Sequence, residues 1–132
     1  MRFLCLYKPS KPEGTPPTQE EMEKMGKLVE DGFKSGKLLA TEGCLPSSKG
    51  ARVRQTSGKY TVVDGPFSES KEVVGGMAVI KADSKEEAIE QVKAFLKIAG
   101  DGETELRQLY EAPECGAEAD FELAKSAERK RA

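Results

Sequence analysis

Apolar positions along the chain fall into two kinds of run. Arg2 to Lys8 encloses Phe-Leu-Cys-Leu-Tyr, and Met77 to Ala82 is again apolar at both parities rather than alternating. Strands covered on both faces read this way, so both are taken as central strands of a sheet. Two other stretches have helical spacing. Met22, Met25, Leu28, Val29 and Phe33 recur behind a Thr18-x-x-Glu21 capping box until Gly36. Ala88, Ile89, Val92, Phe95, Leu96 and Ala99 recur behind Ser84-x-x-Glu87 until Gly100. Each predicts an amphipathic helix with a signalled start and stop, and the Met22 and Met25 pair is assigned to the core.

The segments between them are shorter. Pro9 to Pro17 holds four prolines and Gly14, which predicts a surface loop. Leu38 to Leu45 is read as the second strand and Pro46 to Gly50 as a loop. Ala51 to Thr56 and Lys59 to Val63 make a hairpin across Ser57-Gly58, with Arg52 and Arg54 on one of its faces. Thr104 to Glu111 is the last strand. The order is β-α-β, hairpin, β-α-β: a split βαβ plan doubled around an insertion, giving an α+β fold with two helices on one face of an antiparallel sheet. Leu4, Leu6, Ala78, Ile80 and their neighbours of opposite parity leave both sheet faces apolar. A second copy of the chain is the simplest cover for the face without helices.

Length and charge narrow the function. At 132 residues the chain holds one ordinary domain, read as residues 1–112, with a charged segment over 113–132 whose acids precede its bases and whose Phe121 and Leu123 suit a weakly docked helix. Lys and Arg number 21 against 23 Asp and Glu, a net charge of -2 that provides no field for nucleic acid. No apolar run reaches a membrane span, and Lys8-Pro9 arrives too early for a signal peptide, so a cytoplasmic location is expected. Cys5, Cys44 and Cys115 are odd in number and widely spaced, and the chain has no histidine. Ser-His-Asp and Cys-His nucleophiles and His-ligated metals are thereby excluded, and no metal or cofactor is implied.

The stretch Asp64 to Met77 crowds turn chemistry, charge and an aromatic: Asp-Gly-Pro-Phe at 64–67, Lys71-Glu72, and Gly75-Gly76 before the second central strand. Gly65 offers positive φ, Pro66 fixes its own, and the two later glycines let a backbone or a ligand come close. In order and spacing these residues resemble the signature of DGPF proteins, a branch of the YCII-related family, with the resemblance running over about Arg2 to Tyr110. It implies a ferredoxin-like βαββαβ subunit with an inserted hairpin that pairs as a dimeric α/β barrel, in a family without an established common reaction. Smaller YCII-type members carry a histidine paired with an aspartate in their cleft, and no residue here can inherit that role.

Two functions follow as expectations. In the first, a homodimer binds a small molecule between helices and sheet, or at the mouth near Asp64. Asp64 then acts as acid/base or anchor, and Glu42, Arg52, Arg54, Tyr60, Phe67, Lys71 and Glu72 serve as ligand-binding groups, with Tyr7 a further polar candidate. A pocket of several hundred cubic ångströms with Asp64 or Glu42 pointing in is expected. The plainer alternative gives Asp64 the backbone N–H groups of its own turn and pairs Lys71 with Glu72 on the surface. In the second, the chain is a non-catalytic accessory module that contacts another protein. The resemblance links that role to transcription, because genes for DGPF-type proteins often lie beside those for extracytoplasmic-function sigma factors.

Overall fold

The computed structural model describes residues 1–67 and 73–111. Lys71, Glu72, Cys115 and the segment 113–132 therefore lie outside the described residues. Six strands and two helices follow one another as β1 (Arg2–Pro9), α1 (Gln19–Ser35), β2 (Leu38–Gly43), β3 (Ala51–Thr56), β4 (Lys59–Asp64), β5 (Gly76–Lys81), α2 (Lys85–Ala99) and β6 (Gly102–Gln108). The main sheet is ordered β2-β5-β1-β6 and every adjacent pair is antiparallel. This is the ferredoxin-like order, with β3 and β4 set apart as a two-stranded ribbon. The two strands that are apolar at both parities are the two interior ones.

Register sorts the side chains. Phe3 lies opposite Ile80, and Cys5 opposite Ala78 and Leu106. These residues face the helices, where Phe3, Cys5, Ile80, Ala82 and Ala88 form the core with Leu38, Val92 and Leu106 packed around it. Alternation puts Leu4, Leu6, Met77 and Val79 on the opposite face, opposite Ala40 on β2 and Arg107 and Glu105 on β6. Among the described residues no helix covers that side.

Local signals act as the residue types require. Thr18 Oγ1 accepts from Glu21 N at 3.1 Å and Ser84 Oγ accepts from Glu87 N at 3.1 Å. The return bonds of the two capping boxes are diverted: Glu87 accepts from Asp83 N, and Glu21 accepts from Lys11 instead. Ser57 and Gly58 adopt φ of 50° and 79°, the left-handed pair that matches the twist of a tight hairpin. At the chain's other end, Arg2 donates from Nε to Glu111 at 2.9 Å and from Nη2 to the Tyr110 carbonyl at 3.0 Å, which fastens the segment after β6 to the start of β1.

Gly65 has a different reason from the one expected. Positive φ occurs at Gly14, Gly36, Gly58 and Gly100 but not at Gly65. Instead the carbonyl of Ser47 packs so closely on Gly65 that any Cβ would overlap it. Glycine is needed there for space.

Three outcomes follow from this packing. Phe3, only 2% exposed, should cost about 3–5 kcal/mol when cut to alanine, read as a fall in the urea midpoint. Gly65→Ala should cost about 1–3 kcal/mol by forcing Ser47 aside, with β3 and β4 losing amide protection before the main sheet does. Burial pushes the Cys5 thiol up to about 11, whereas Cys44 is exposed. In a Cys115→Ser chain at about pH 8, where a free thiol is already partly ionised, iodoacetamide should label Cys44 alone until denaturant is added.

Candidate functional site

A cavity of about 830 Å³ opens on the helix side of the molecule, between α1, the C-terminal end of α2, the end of β1 and three connecting segments. Its apolar wall comes mainly from the helices. Met22, Met25 and Val29 of α1 face Phe95 and Ile98 of α2, and Leu45, Val73 and Val74 close the side formed by the loops. The spacing of Met22, Met25 and Val29 puts them on one helix face, as the sequence predicted. What that face meets differs from the prediction, because α1 contributes no buried residue and Met22 is 50% exposed. The methionine pair lines a cleft rather than filling the core. An unbranched, polarisable side chain is suited to such a wall, since it can reshape around what it touches.

The polar end is built on β1 and the proline-rich loop. Tyr7 projects from β1 with its ring edge-on to Phe95, centroids 5.0 Å apart and planes at 84°. Gly102 lies beneath it, where a Cβ would stand 2.9 Å from the ring. Burial, together with the nearby carboxylates of Glu21 and Asp101, pushes the Tyr7 hydroxyl above its ordinary pKa, so it is protonated at neutral pH. Among the described residues nothing hydrogen-bonds to this hydroxyl. Beside it Lys11 Nζ meets Glu21 Oε1 at 3.4 Å.

Glu13, also in the lining, holds the loops in place. Its two carboxylate oxygens accept from Ser47 N and Ser47 Oγ, both at 2.6 Å. Ser47 is buried, and its Oγ in turn accepts from Phe67 N at 3.0 Å. One serine thereby ties the proline-rich loop, the short 3-10 turn at Ser47–Lys49 and the turn after β4 into one unit. Gly75 enters the same wall, its α-carbon close enough to Pro9 that an added Cβ would stand 2.9 Å from the proline ring. The expectation that Gly75-Gly76 admits another backbone is met at Gly76 by the Glu42 carbonyl, whereas at Gly75 it is the Pro9 ring that comes close.

Six of the described residues singled out from the sequence lie elsewhere. Asp64 ends β4, exposed, opposite Ala51. Its carboxylate accepts no hydrogen bond among the described residues. The turn's N–H groups go to other partners, Gly65 N to the Gly50 carbonyl at 3.0 Å and Phe67 N to Ser47. Arg52 and Phe67 do come together, with the guanidinium 3.9 Å from the ring centroid. Arg54 and Tyr60 stand on the ribbon, Tyr60 being 71% exposed. Glu42 is exposed on the edge strand β2, opposite Met77 on the face away from the helices. None of these six is among the described residues lining the cavity. Among the described residues Tyr7 is the one polar candidate from the sequence that lines it. Among the described residues there is no group of three or more His, Cys, Asp or Glu placed to hold a metal, and no helix long and apolar enough to cross a membrane.

A curated relative, the uncharacterized protein R00369 of Rhizobium meliloti (strain 1021), is 36% identical over 56 residues, 42% of this chain and 45% of that protein. The matched segment thus spans less than half of the relative. Among solved structures, the 5-chloro-2-hydroxyhydroquinone dehydrochlorinase TftG from Burkholderia phenoliruptrix AC1100, in complex with 2,5-dihydroxybenzoquinone, aligns with a TM-score of 0.39 at 15% identity, covering 85% of this chain and 96% of that one. The YCII-related domain matches residues 1–112. Because that match takes in every strand and helix from β1 to β6, the chain belongs to the YCII-related domain family.

Proposed function

We propose that this protein is a homodimer that binds a small, largely apolar molecule in the cleft between α1, α2 and β1. The observation that carries the reading is the cavity itself. Its volume of about 830 Å³ is in the range of small-molecule sites, and an apolar wall with a few polar groups gathered at one end is how such sites bind and orient a ligand. Tyr7 offers the orienting hydroxyl, and Met22 and Met25 offer adaptable contact. Asp64 has no part in the cleft in this reading; it serves the base of the ribbon.

The dimer rests on the open sheet face. Leu4, Leu6, Met77 and Val79 form an apolar band on central strands, flanked on β6 by Glu105 and Arg107. A polar margin around an apolar centre is the arrangement of a subunit contact. The ribbon supports the second reading, a contact with another protein: Val53, Tyr60 and Val62 share one of its faces and are 68%, 71% and 61% exposed. The two roles can coexist, because the cleft and the ribbon use different residues.

A thermal-shift screen of metabolites should give hits that raise the melting temperature of the intact protein. Met25→Trp fills the cleft and should abolish those shifts, while Asp64→Asn should leave them unchanged. Hits that survive Met25→Trp and vanish in Asp64→Asn would return the site to the turn. Sedimentation at micromolar concentration should give the mass of two chains, and Val79→Glu should give one. A well-folded single chain from the unaltered sequence would remove the dimer.

A further inference from the structure

We infer that the cleft selects by charge: it takes an apolar molecule with a cationic amine head in preference to the same molecule with a carboxylate head. The inference rests on the cleft being a ligand site, and deepens that reading by naming the chemical class of the ligand.

Only three charged side chains are found among the described residues of the lining, Lys11, Glu13 and Glu21. The single ammonium is already engaged, 3.4 Å from Glu21 Oε1. Glu13 is fixed by its two bonds to Ser47, which come from neutral donors and leave its negative charge in place. Two carboxylates against one lysine leave a net charge of about -1 on the described lining by simple count, and at the Tyr7 end Glu21 and Asp101 act on the hydroxyl with the same sign. Among the described lining residues an entering carboxylate would find no cation that is not already shared.

An entering ammonium would find acceptors. Glu21 uses Oε1 for Lys11, and no hydrogen bond occupies its Oε2 among the described residues. The Tyr7 oxygen has two lone pairs and no partner there. A charged donor bonded to a carboxylate and a hydroxyl gains more than a neutral one does, and the apolar wall lowers the competition from water. Methylene groups next to the amine would lie against Met22, Met25 and Phe95.

The test uses two probes with one ring system and opposite charge, tryptamine and indole-3-acetate, titrated calorimetrically into the full chain. Tryptamine should bind about fivefold more tightly at low ionic strength, since a partly exposed charge pair contributes up to about a factor of five, and the ratio should shrink in about 0.5 M salt. Glu21→Gln keeps the side chain's shape and should bring the ratio close to one, while Lys11→Gln should widen it; far-UV circular dichroism confirms that α1 persists in both. Indole-3-acetate binding as well as tryptamine, with both lost in Met25→Trp, would overturn the charge preference and leave the cleft reading standing. If neither probe binds at millimolar concentration and the metabolite screen is also empty, both readings fall.

Discussion

Buried Ser47 is the point on which the arrangement of loops depends. A polar residue removed from water must find partners, and Ser47 finds them in two segments distant in sequence. Its N–H and hydroxyl both go to the Glu13 carboxylate, its hydroxyl oxygen receives Phe67 N, and its carbonyl lies against Gly65. Hydrogen bonds to an ionised acceptor contribute about 1.5–3 kcal/mol each, enough to order a loop that holds four prolines and has few backbone donors of its own. The proline-rich loop forms one wall of the cleft, so the cavity's shape is a consequence of that contact.

The sheet sets the second constraint. Two central strands are apolar on both faces, and the described helices cover one. On the helix side the layer is filled unevenly. Around Phe3, Ile80 and Ala88 the packing is tight. α1 has no buried residue, and towards the other end of β1 the Tyr7 ring meets Phe95 of α2 nearly at right angles. The cleft is the part of this layer that the helices do not close. Core and binding wall are two ends of one helix–sheet interface, with α2 packed at the core end through Ala88 and Val92 and α1 lining the cleft end.

The difference explains what could be read from the sequence. Caps, the hairpin turn and the two interior strands depend on residues within a few positions of one another, and each was legible from local chemistry. Periodicity gave the face of α1 on which Met22, Met25 and Val29 lie. It carries no information on whether that face meets side chains or space, so the methionines were assigned to the core. The turn at Asp64 to Phe67 looked chemical because aspartate, glycine, proline and an aromatic stand together. Its backbone is in fact satisfied by Gly50 and by Ser47, twenty residues before Phe67, a pairing with no sequence signature. Glu21 was placed correctly as the third residue of a helix, yet its carboxylate turned to Lys11 rather than back to the cap, a choice fixed only when the preceding loop folds over α1.

The ribbon of β3 and β4 has an implication for engineering. Its ladder runs from Ala51 opposite Asp64 to Thr56 opposite Lys59, and its described links to the body, Gly65 to Gly50 and Phe67 to Ser47, gather at the inner end. The outer end carries the two-residue tip Ser57-Gly58, whose left-handed geometry needs no help from the rest of the molecule. A peptide epitope or a reporter spliced into that tip would be displayed on a stalk, with the scaffold that shapes the cleft left as it was.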